Sequence, residues 1–183
     1  MRESGPAFLN VATPEQMQAI GEALGHAIDA IVVASDSAFV IALEGELGAG
    51  KTTLVGGILR AYGITGPVRS PTYTLIEPYE SAGKQLYHMD LYRLVDPQEV
   101  EPLGIRELLN ARTVLLIEWP SKAVGALPGF DLAIDIDYPA TASASGQGGR
   151  TVTLRALSSS GDNVMQRIVA AIPELRPLSS SFN

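Results

Sequence analysis

The apolar residues near the N-terminus of the chain follow the period of a helix. They recur at spacings of three and four, which places them on one helical face. They are Met17, Ile20, Leu24, Ala27, Ile28 and Ile31. Before them, Thr13 stands at a capping position, Pro14 at the first helical residue and Gln16 at the capping-box position. The pattern therefore predicts an amphipathic helix that begins at residue 14.

Unbroken apolar runs elsewhere in the chain are typical of strands that are buried on both faces. The run "FVIAL" (residues 39–43) and the "VLLI" within "TVLLIEW" (residues 113–119) have this form, which is found in parallel sheets covered by helices. Other segments with strand character are "FLNVA", residues 73–79, "KQLYHMDLYR", "DLAIDIDYP" and "RTVTLRALS". Together they predict an α/β fold with a central, largely parallel sheet flanked by helices and a C-terminal antiparallel hairpin.

A glycine-rich segment lies between the run at residues 39–43 and a predicted helix at residues 51–61. "GELGAGKT" (residues 45–52) matches the pattern G-x-x-x-x-G-K-[ST] at every specified position. Between a strand and a helix, successive backbone N–H groups and the helix N-terminus converge on an anion. Lys51 is then predicted to reach the β- and γ-phosphates and Thr52 to ligate Mg²⁺. The predicted nucleotide contacts are Gly45, Glu46, Gly48, Ala49, Gly50, Lys51, Thr52 and Thr53. The motif indicates a single P-loop NTPase domain.

Two carboxylates stand at the ends of predicted strands, where a P-loop ATPase usually holds its metal ion from a second side. Glu118 follows four apolar residues in "VLLIE", and Asp90 ends "LYHMD". For Glu118 the pattern leaves open a metal contact, a contact through water, a role as general base, or a side chain that faces solvent. For Asp90 it leaves open the orientation of water or of the metal's hydration shell and an ion pair with Arg93.

Two further features are candidates for the nucleotide site. Trp119, the only tryptophan, could flank a nucleotide or a partner, or it could pack in the core. The hydroxyl-rich "SPTYT" (residues 70–74), with Thr72 at its centre, lies where a switch segment sensing the γ-phosphate would follow the P-loop helix. A strand edge explains that segment equally well. Two isolated histidines, His26 and His88, do not predict a zinc site.

Composition limits the class of protein. The chain has 183 residues, 46% hydrophobic and 18% charged. This is the balance of one globular domain, predicted at residues 1–172, with a flexible tail at residues 173–183. No apolar run reaches the roughly 18 residues of a membrane span, and "MRESGPAFLN" lacks the layout of a signal peptide. We therefore expect a cytoplasmic protein without membrane contact. The net charge of -7 predicts that any contact with nucleic acid occurs through a partner or a local patch.

Several short motifs in a fixed order resemble those of one family. They are "GELGAGKTT", "SPTYTLIEPY", "YHMDLYRL", "LGIRELL" and "LIEWP". Over about residues 10–155 the chain closely resembles the TsaE (YjeE) family, small bacterial P-loop ATPases of tRNA threonylcarbamoyladenosine synthesis. It departs from the family after "EWP", where Ser121 and Lys122 replace the usual acid and basic residue, and in a long hairpin loop at residues 140–149.

The resemblance implies ATP and Mg²⁺ binding and slow intrinsic hydrolysis. It also implies work in complex with a TsaD catalytic subunit and a TsaB scaffold subunit. That pair transfers a threonylcarbamoyl group to the adenosine beside the anticodon and makes most of the tRNA contacts. Lys51 and Thr52 would carry phosphate and Mg²⁺, with Glu118 as the second metal-site acid. The catalytic residues would be Glu118, Asp90 and Lys51, with Trp119 and Thr72 around the nucleotide.

Three other functions are weighed against this one. A small P-loop kinase acting on a metabolite commonly needs an arginine-bearing lid, yet the arginines Arg69, Arg93, Arg106 and Arg112 are scattered along the chain. A GTPase needs a guanine-reading N-K-x-D segment, and the sequence has none. A non-hydrolysing scaffold would use nucleotide only to order an interface. Glu118 and Asp90 argue against the scaffold without excluding it.

Overall fold

A computed structural model of the chain describes residues 5–139 and 149–177. The predicted hairpin loop, apart from residue 149, and the last six residues of the predicted tail lie outside the described residues. The described strands are β1 (Ala7–Val11), β2 (Phe39–Glu44), β3 (Ile76–Ser81), β4 (Lys84–Asp90), β5 (Thr113–Glu118), β6 (Leu132–Asp137), β7 (Arg150–Ala156) and β8 (Arg176–Pro177). The described helices are α1 (Pro14–Val32), α2 (Lys51–Ala61) and α3 (Ser159–Ala171), with 3₁₀ helices at Pro97–Leu103, Ile105–Leu108 and Pro120–Ala123.

The described strands form one sheet in the order β3-β4-β5-β2-β6-β7-β1-β8. The four central strands, β4, β5, β2 and β6, run parallel. The pairings on either side of them, including the β6–β7 hairpin, are antiparallel. The predicted α/β fold with its C-terminal hairpin is confirmed.

The two faces of the sheet are covered by different layers, which explains the unbroken apolar runs. Helices α1, α2 and α3 pack their apolar residues on one face, and the 3₁₀ helices cover the other. Every residue of β5 is therefore buried. Along β4 the side chains alternate, so Leu86, His88 and Asp90 share the face on which α2 packs.

The carboxyl ends of the parallel strands meet at one edge of the sheet. Glu118 of β5 is in register with Leu43 of β2 on one side and with Asp90 of β4 on the other. The glycine-rich loop leaves β2 at the same edge and leads into α2. The topology therefore brings both predicted carboxylates beside the loop, as ligand sites of open α/β sheets require.

Three elements differ from the sequence-based expectation. The strand expected at residues 73–79 begins later, at Ile76, because Leu75 takes a left-handed conformation (φ 62°) that interrupts the extended chain. Helix α3 was not expected, although Ser158 caps it by accepting a hydrogen bond from the Gly161 N–H. The boundary at residue 172 stays a prediction, but Leu175 is buried and β8 pairs with β1.

None of the helices within the described ranges is long and apolar enough to cross a membrane.

Helices α1 and α2 touch through their backbones. A Cβ built on Gly57 of α2 would lie 2.2 Å from the Gln18 carbonyl oxygen, and one on Gly21 would lie 2.2 Å from that of Leu54. Such distances are far inside van der Waals contact with backbone atoms that cannot rotate away. This close approach holds α2, and with it the glycine-rich loop, firmly against α1.

We expect Gly57→Ala to lower the free energy of unfolding by about 2–3 kcal/mol, because overpacking against backbone outweighs alanine's better helix propensity. Gly56→Ala is the matched control, since its Cβ would meet only Val68, at 3.7 Å. We expect this variant to gain up to about 1 kcal/mol from helix propensity. Urea denaturation of both variants checks the pair; equal stabilities would contradict the proposed backbone contact.

Candidate functional site

The glycine-rich loop has the backbone of a phosphate cradle. Gly50, which caps the N-terminus of α2, adopts φ 112°, a left-handed value that residues with a Cβ rarely take. At the other end of the loop, a Cβ on Gly45 would lie 2.5 Å from the Ile136 carbonyl oxygen. Glycine is therefore required at both positions, and the first turn of α2 presents its free N–H groups to the loop.

Lys51 lies folded into this loop. Its Nζ donates hydrogen bonds to the carbonyl oxygens of Gly45 (2.6 Å) and Glu46 (3.2 Å). The ammonium also lies 3.9 Å from the centre of the Trp119 ring, a cation–π contact. Burial lowers the pKa of Lys51, and nearby carboxylates, Glu118 foremost, partly offset the shift. The loop thus contains a buried cation for which a phosphate anion would be a better partner than neutral carbonyls.

Glu118 lies directly beside the first turn of α2. The Thr52 hydroxyl donates a hydrogen bond of 2.8 Å to Glu118 Oε1, and Glu118 is only 2% exposed. The alternative of a strand-end acid facing solvent is therefore excluded. A hydroxyl and a carboxylate, 66 residues apart in sequence, thus meet here, and hard oxygen groups of this kind are the ligands that Mg²⁺ prefers.

Asp90 is held by hydroxyls and not by Arg93. Its Oδ2 accepts hydrogen bonds from the hydroxyls of Ser70 and Thr72, the latter at 3.1 Å. Its Oδ1 accepts one of 3.0 Å from the Tyr92 N–H. Arg93 instead stacks 4.4 Å from the centre of the Tyr73 ring. The segment at residues 70–74 is a loop tied to Asp90, and the strand-edge interpretation of it is wrong.

Trp119 leaves β5 in a strained conformation. Its φ of 59° and ψ of 47° are left-handed values for a bulky residue, which cost about 1–3 kcal/mol. The turn brings its ring 5.0 Å from that of Tyr92 as well as over Lys51. Strain of this kind concentrates at functional sites, and here it places an aromatic wall beside the buried lysine.

Two cavities flank the loop. The larger, about 410 Å³, is lined by Leu47, Gly48, Gly50, Lys51, Thr52, Thr53, Ser70, Thr72, Asp90, Tyr92, Arg93, Glu118 and Trp119. The other, about 350 Å³, is lined by Val11, Ala12, Thr13, Pro14, Met17, Gly48, Ala49, Gly50, Thr53, Gly149 and Arg150. The first is rich in charged and hydroxyl side chains, whereas the second combines apolar side chains, among them Val11 and Met17, with Thr13, Thr53 and Arg150.

The structure brings together most of the residues predicted from sequence. Nine line the larger cavity: Gly48, Gly50, Lys51, Thr52, Thr53, Thr72, Asp90, Glu118 and Trp119. Ala49 lines the second cavity. Gly45 and Glu46 line neither of these two, and their role in the loop is to offer carbonyl oxygens to Lys51.

Sequence reasoning missed several contributors to the site. Ser70 was seen only as part of a hydroxyl-rich stretch, yet it binds Asp90. His88 was considered only as a zinc ligand, yet its Nε2 lies 2.8 Å from Glu118 Oε1. Glu44, at the end of β2, accepts a hydrogen bond of 3.2 Å from the Ser121 N–H. For His88 a signal was available in the sequence, because strand alternation places it on the same face as Asp90.

Comparison with known proteins gives a consistent result. Residues 11–146 match the profile of the family described as threonylcarbamoyl adenosine biosynthesis protein TsaE. A "tRNA threonylcarbamoyladenosine biosynthesis protein TsaE" from Haemophilus influenzae is 52% identical over 57% of this chain and 66% of its own length. The protein of the same name from Bacillus subtilis is 45% identical over 53% of this chain and 60% of its own length. The matched regions thus span less than two thirds of either relative.

The similarity extends to a solved fold. The crystal structure of YdiB from Bacillus subtilis superposes with a TM-score of 0.68 at 25% sequence identity, covering 93% of this chain and 99% of the other. The family profile covers the phosphate loop, both strand-end carboxylates and Trp119. The resemblance inferred from the short motifs is therefore confirmed, and the chain belongs to the TsaE family.

Proposed function

We propose that this protein is a Mg²⁺-dependent ATPase that serves tRNA threonylcarbamoyladenosine synthesis. The observation that carries the ATPase proposal is the 2.8 Å hydrogen bond from the Thr52 hydroxyl to Glu118. A threonine at the start of the P-loop helix, next to a buried strand-end carboxylate, is the donor set with which P-loop ATPases hold Mg²⁺. The family membership supports the biosynthetic role.

The residues present fit a magnesium ion. The Thr52 hydroxyl donates its hydrogen bond to Glu118 and keeps lone pairs for a metal. Glu118 supplies negative charge, and Asp90 adds a second buried carboxylate in the same cavity. Mg²⁺ bound here would neutralise charge on the phosphates. Because Mg²⁺ retains several of its waters, these few protein groups are enough to bind it.

Each of the two cavities suits a different part of the nucleotide. The larger holds Lys51, Thr52 and the carboxylates, so it suits the β- and γ-phosphates and the metal. The second holds apolar side chains, among them Met17 and Val11, and suits a base and ribose. Thr53 borders both cavities. A triphosphate wrapped around the loop would therefore reach from one cavity into the other.

We expect slow hydrolysis by the isolated chain because few cations lie near the expected position of the γ-phosphate. Of the described residues that line the larger cavity, only Lys51 and Arg93 are cationic. Arg93 is stacked on Tyr73 at the exposed rim, where it does not reach Thr52 or Glu118 by any hydrogen bond in the described residues. Phosphoryl transfer needs cations around the charge that develops on the γ-phosphate. We propose that partners resembling TsaD and TsaB complete this set in the cytoplasm and hold most of the tRNA.

The test is phosphate release from ATP and Mg²⁺, measured for the chain alone and with the TsaD and TsaB homologues of its own source. We expect slow release alone and stimulation of roughly tenfold or more by the pair, because one added charge-stabilising or water-orienting group is worth at least that much. The control replaces the chain with its Lys51→Ala variant, which corrects for ATP consumed by the partners.

Three results would contradict the proposal. Equal phosphate release with and without the partners would contradict the proposal that the partners complete the catalytic site. Rapid turnover of the isolated chain that depends on a small-molecule acceptor would favour the metabolite kinase. Tight ATP binding without phosphate release under any of these conditions would favour the nucleotide-dependent scaffold.

A further inference from the structure

The carboxylate of Glu118 has a second hydrogen-bond donor in addition to the Thr52 hydroxyl. His88 of β4 is fully buried, and its Nε2 lies 2.8 Å from Glu118 Oε1. The Thr52 hydroxyl binds this same oxygen. Because both contacts use Oε1, they leave Oε2 to a metal ion or to one of its waters. His88 is not among the residues that line the larger cavity, so it can affect a ligand there only through Glu118.

The surroundings of the imidazole decide which nitrogen carries the hydrogen. Nδ1 of His88 is buried and has no hydrogen-bond partner among residues 5–139 and 149–177. A hydrogen on Nδ1 would leave a buried donor unsatisfied and turn the lone pair of Nε2 toward a carboxylate oxygen. The tautomer with its hydrogen on Nε2 avoids both costs. His88 therefore donates to Glu118. Hydrogen bonds of this kind, from groups that do not touch a metal, orient the side chains that bind it.

Packing alone does not explain a histidine at this position. Leu86, two residues earlier on the same face of β4, is an apolar core residue, and Leu116, in register with His88, is another. A leucine at position 88 would continue that core without burying an unpartnered nitrogen. The imidazole is unfavourable for the core but favourable for Glu118, the one acid that the loop threonine contacts.

We infer that His88 is a positioning residue: its Nε2–H fixes the carboxylate of Glu118 in the orientation that binds Mg²⁺ beside Thr52. This inference rests on the proposed function, because it assigns His88 a role in the same metal site. It separates two properties of the protein. ATP binding to the loop should not need His88, whereas the gain in ATP affinity that Mg²⁺ provides should need it.

Three variants of the full chain distinguish this role from core packing. His88→Leu keeps the volume of the side chain and removes the donor. His88→Gln places an amide N–H near the position of Nε2, and His88→Asn is polar but too short to reach Glu118. The measurement is calorimetric titration with ATP, once in excess EDTA and once in saturating Mg²⁺. The ratio of the two dissociation constants gives the contribution of Mg²⁺ for each variant.

In EDTA we expect all variants to bind ATP as the unmodified protein does. In Mg²⁺, His88→Leu and His88→Asn should lose affinity so that the ratio falls by about 10–100-fold, the usual effect of removing a group that orients a metal ligand. His88→Gln should retain most of the ratio. If His88→Leu does not fold, the comparison of the Gln and Asn variants decides.

The outcomes separate the inference from the proposal beneath it. An unmodified ratio in His88→Leu, or Gln and Asn variants that fold and lose the ratio equally, would overturn the positioning role and leave the ATPase proposal intact. Failure of the unmodified protein to bind ATP in either condition would overturn both. A loss of ATP affinity in EDTA that matches the loss in Mg²⁺ would assign His88 to core packing alone and overturn the inference.

Discussion

Replacing Lys51 with alanine is expected to slow ATP hydrolysis by at least about 100-fold and to weaken ATP binding by about tenfold or more. Lys51 is the only cation of the described chain that is buried in the loop: its Nζ contacts the carbonyl oxygens of Gly45 and Glu46. A triphosphate offers charged oxygens in place of these neutral ones. Alanine removes the charge and leaves the backbone cradle alone to hold the phosphates.

Phosphate release and ATP calorimetry, both in the presence of the partner pair, measure the effect. Lys122→Ala is the matched control because Lys122 is an exposed lysine just beyond Trp119. That variant should bind ATP normally. Thermal unfolding of the Lys51→Ala protein should stay close to that of the unmodified chain, since desolvation already lowers the pKa of this ammonium and makes its burial costly. Normal turnover in Lys51→Ala would refute the assignment of the loop.

Replacing Glu118 with glutamine should separate binding from chemistry. Glutamine has nearly the same shape and keeps an oxygen for the Thr52 hydroxyl, which now binds Oε1 at 2.8 Å. It removes the negative charge that a magnesium ion or an attacking water would use. We expect ATP affinity in EDTA to be unchanged and hydrolysis to slow by about 100-fold in the full complex.

Glu80→Gln is the control for Glu118→Gln, because Glu80 is an exposed carboxylate on β3 of the same sheet. Its hydrolysis rate should match that of the unmodified protein. The two rates are compared at saturating ATP and Mg²⁺. The Mg²⁺ concentration is then raised further, which restores the rate if metal binding is weaker but not if the chemical step is slower. Hydrolysis at the normal rate in Glu118→Gln would remove this residue from the catalytic group.

The sequence predicts this site where a short rule links residues to geometry. The phosphate loop is such a case, because Gly50 at a left-handed φ is followed at once by the lysine and threonine of α2. Glu118 and Asp90 are another, because parallel strands that end at the same edge bring their last residues together. In each case the neighbours follow from chain direction or from a single turn.

Other parts of the site depend on packing that no local pattern records. The Ser70 and Thr72 hydroxyls reach Asp90 from a loop that ends at Leu75, which takes a left-handed conformation before β3. The His88 contact depends on the register of β4 against β5. Helix α3 is another omission, since it opens with serine, glycine, aspartate and asparagine, which are poor helix formers.

The strained turn at Trp119 has a practical consequence in spectroscopy. The chain contains a single tryptophan, and its indole lies in contact with the ammonium of Lys51. Indole emission depends on nearby charge and on exposure to water, so the natural protein carries its own optical probe within the phosphate cradle. No dye or engineered label is needed to follow in real time whether the loop of the isolated chain is empty or filled.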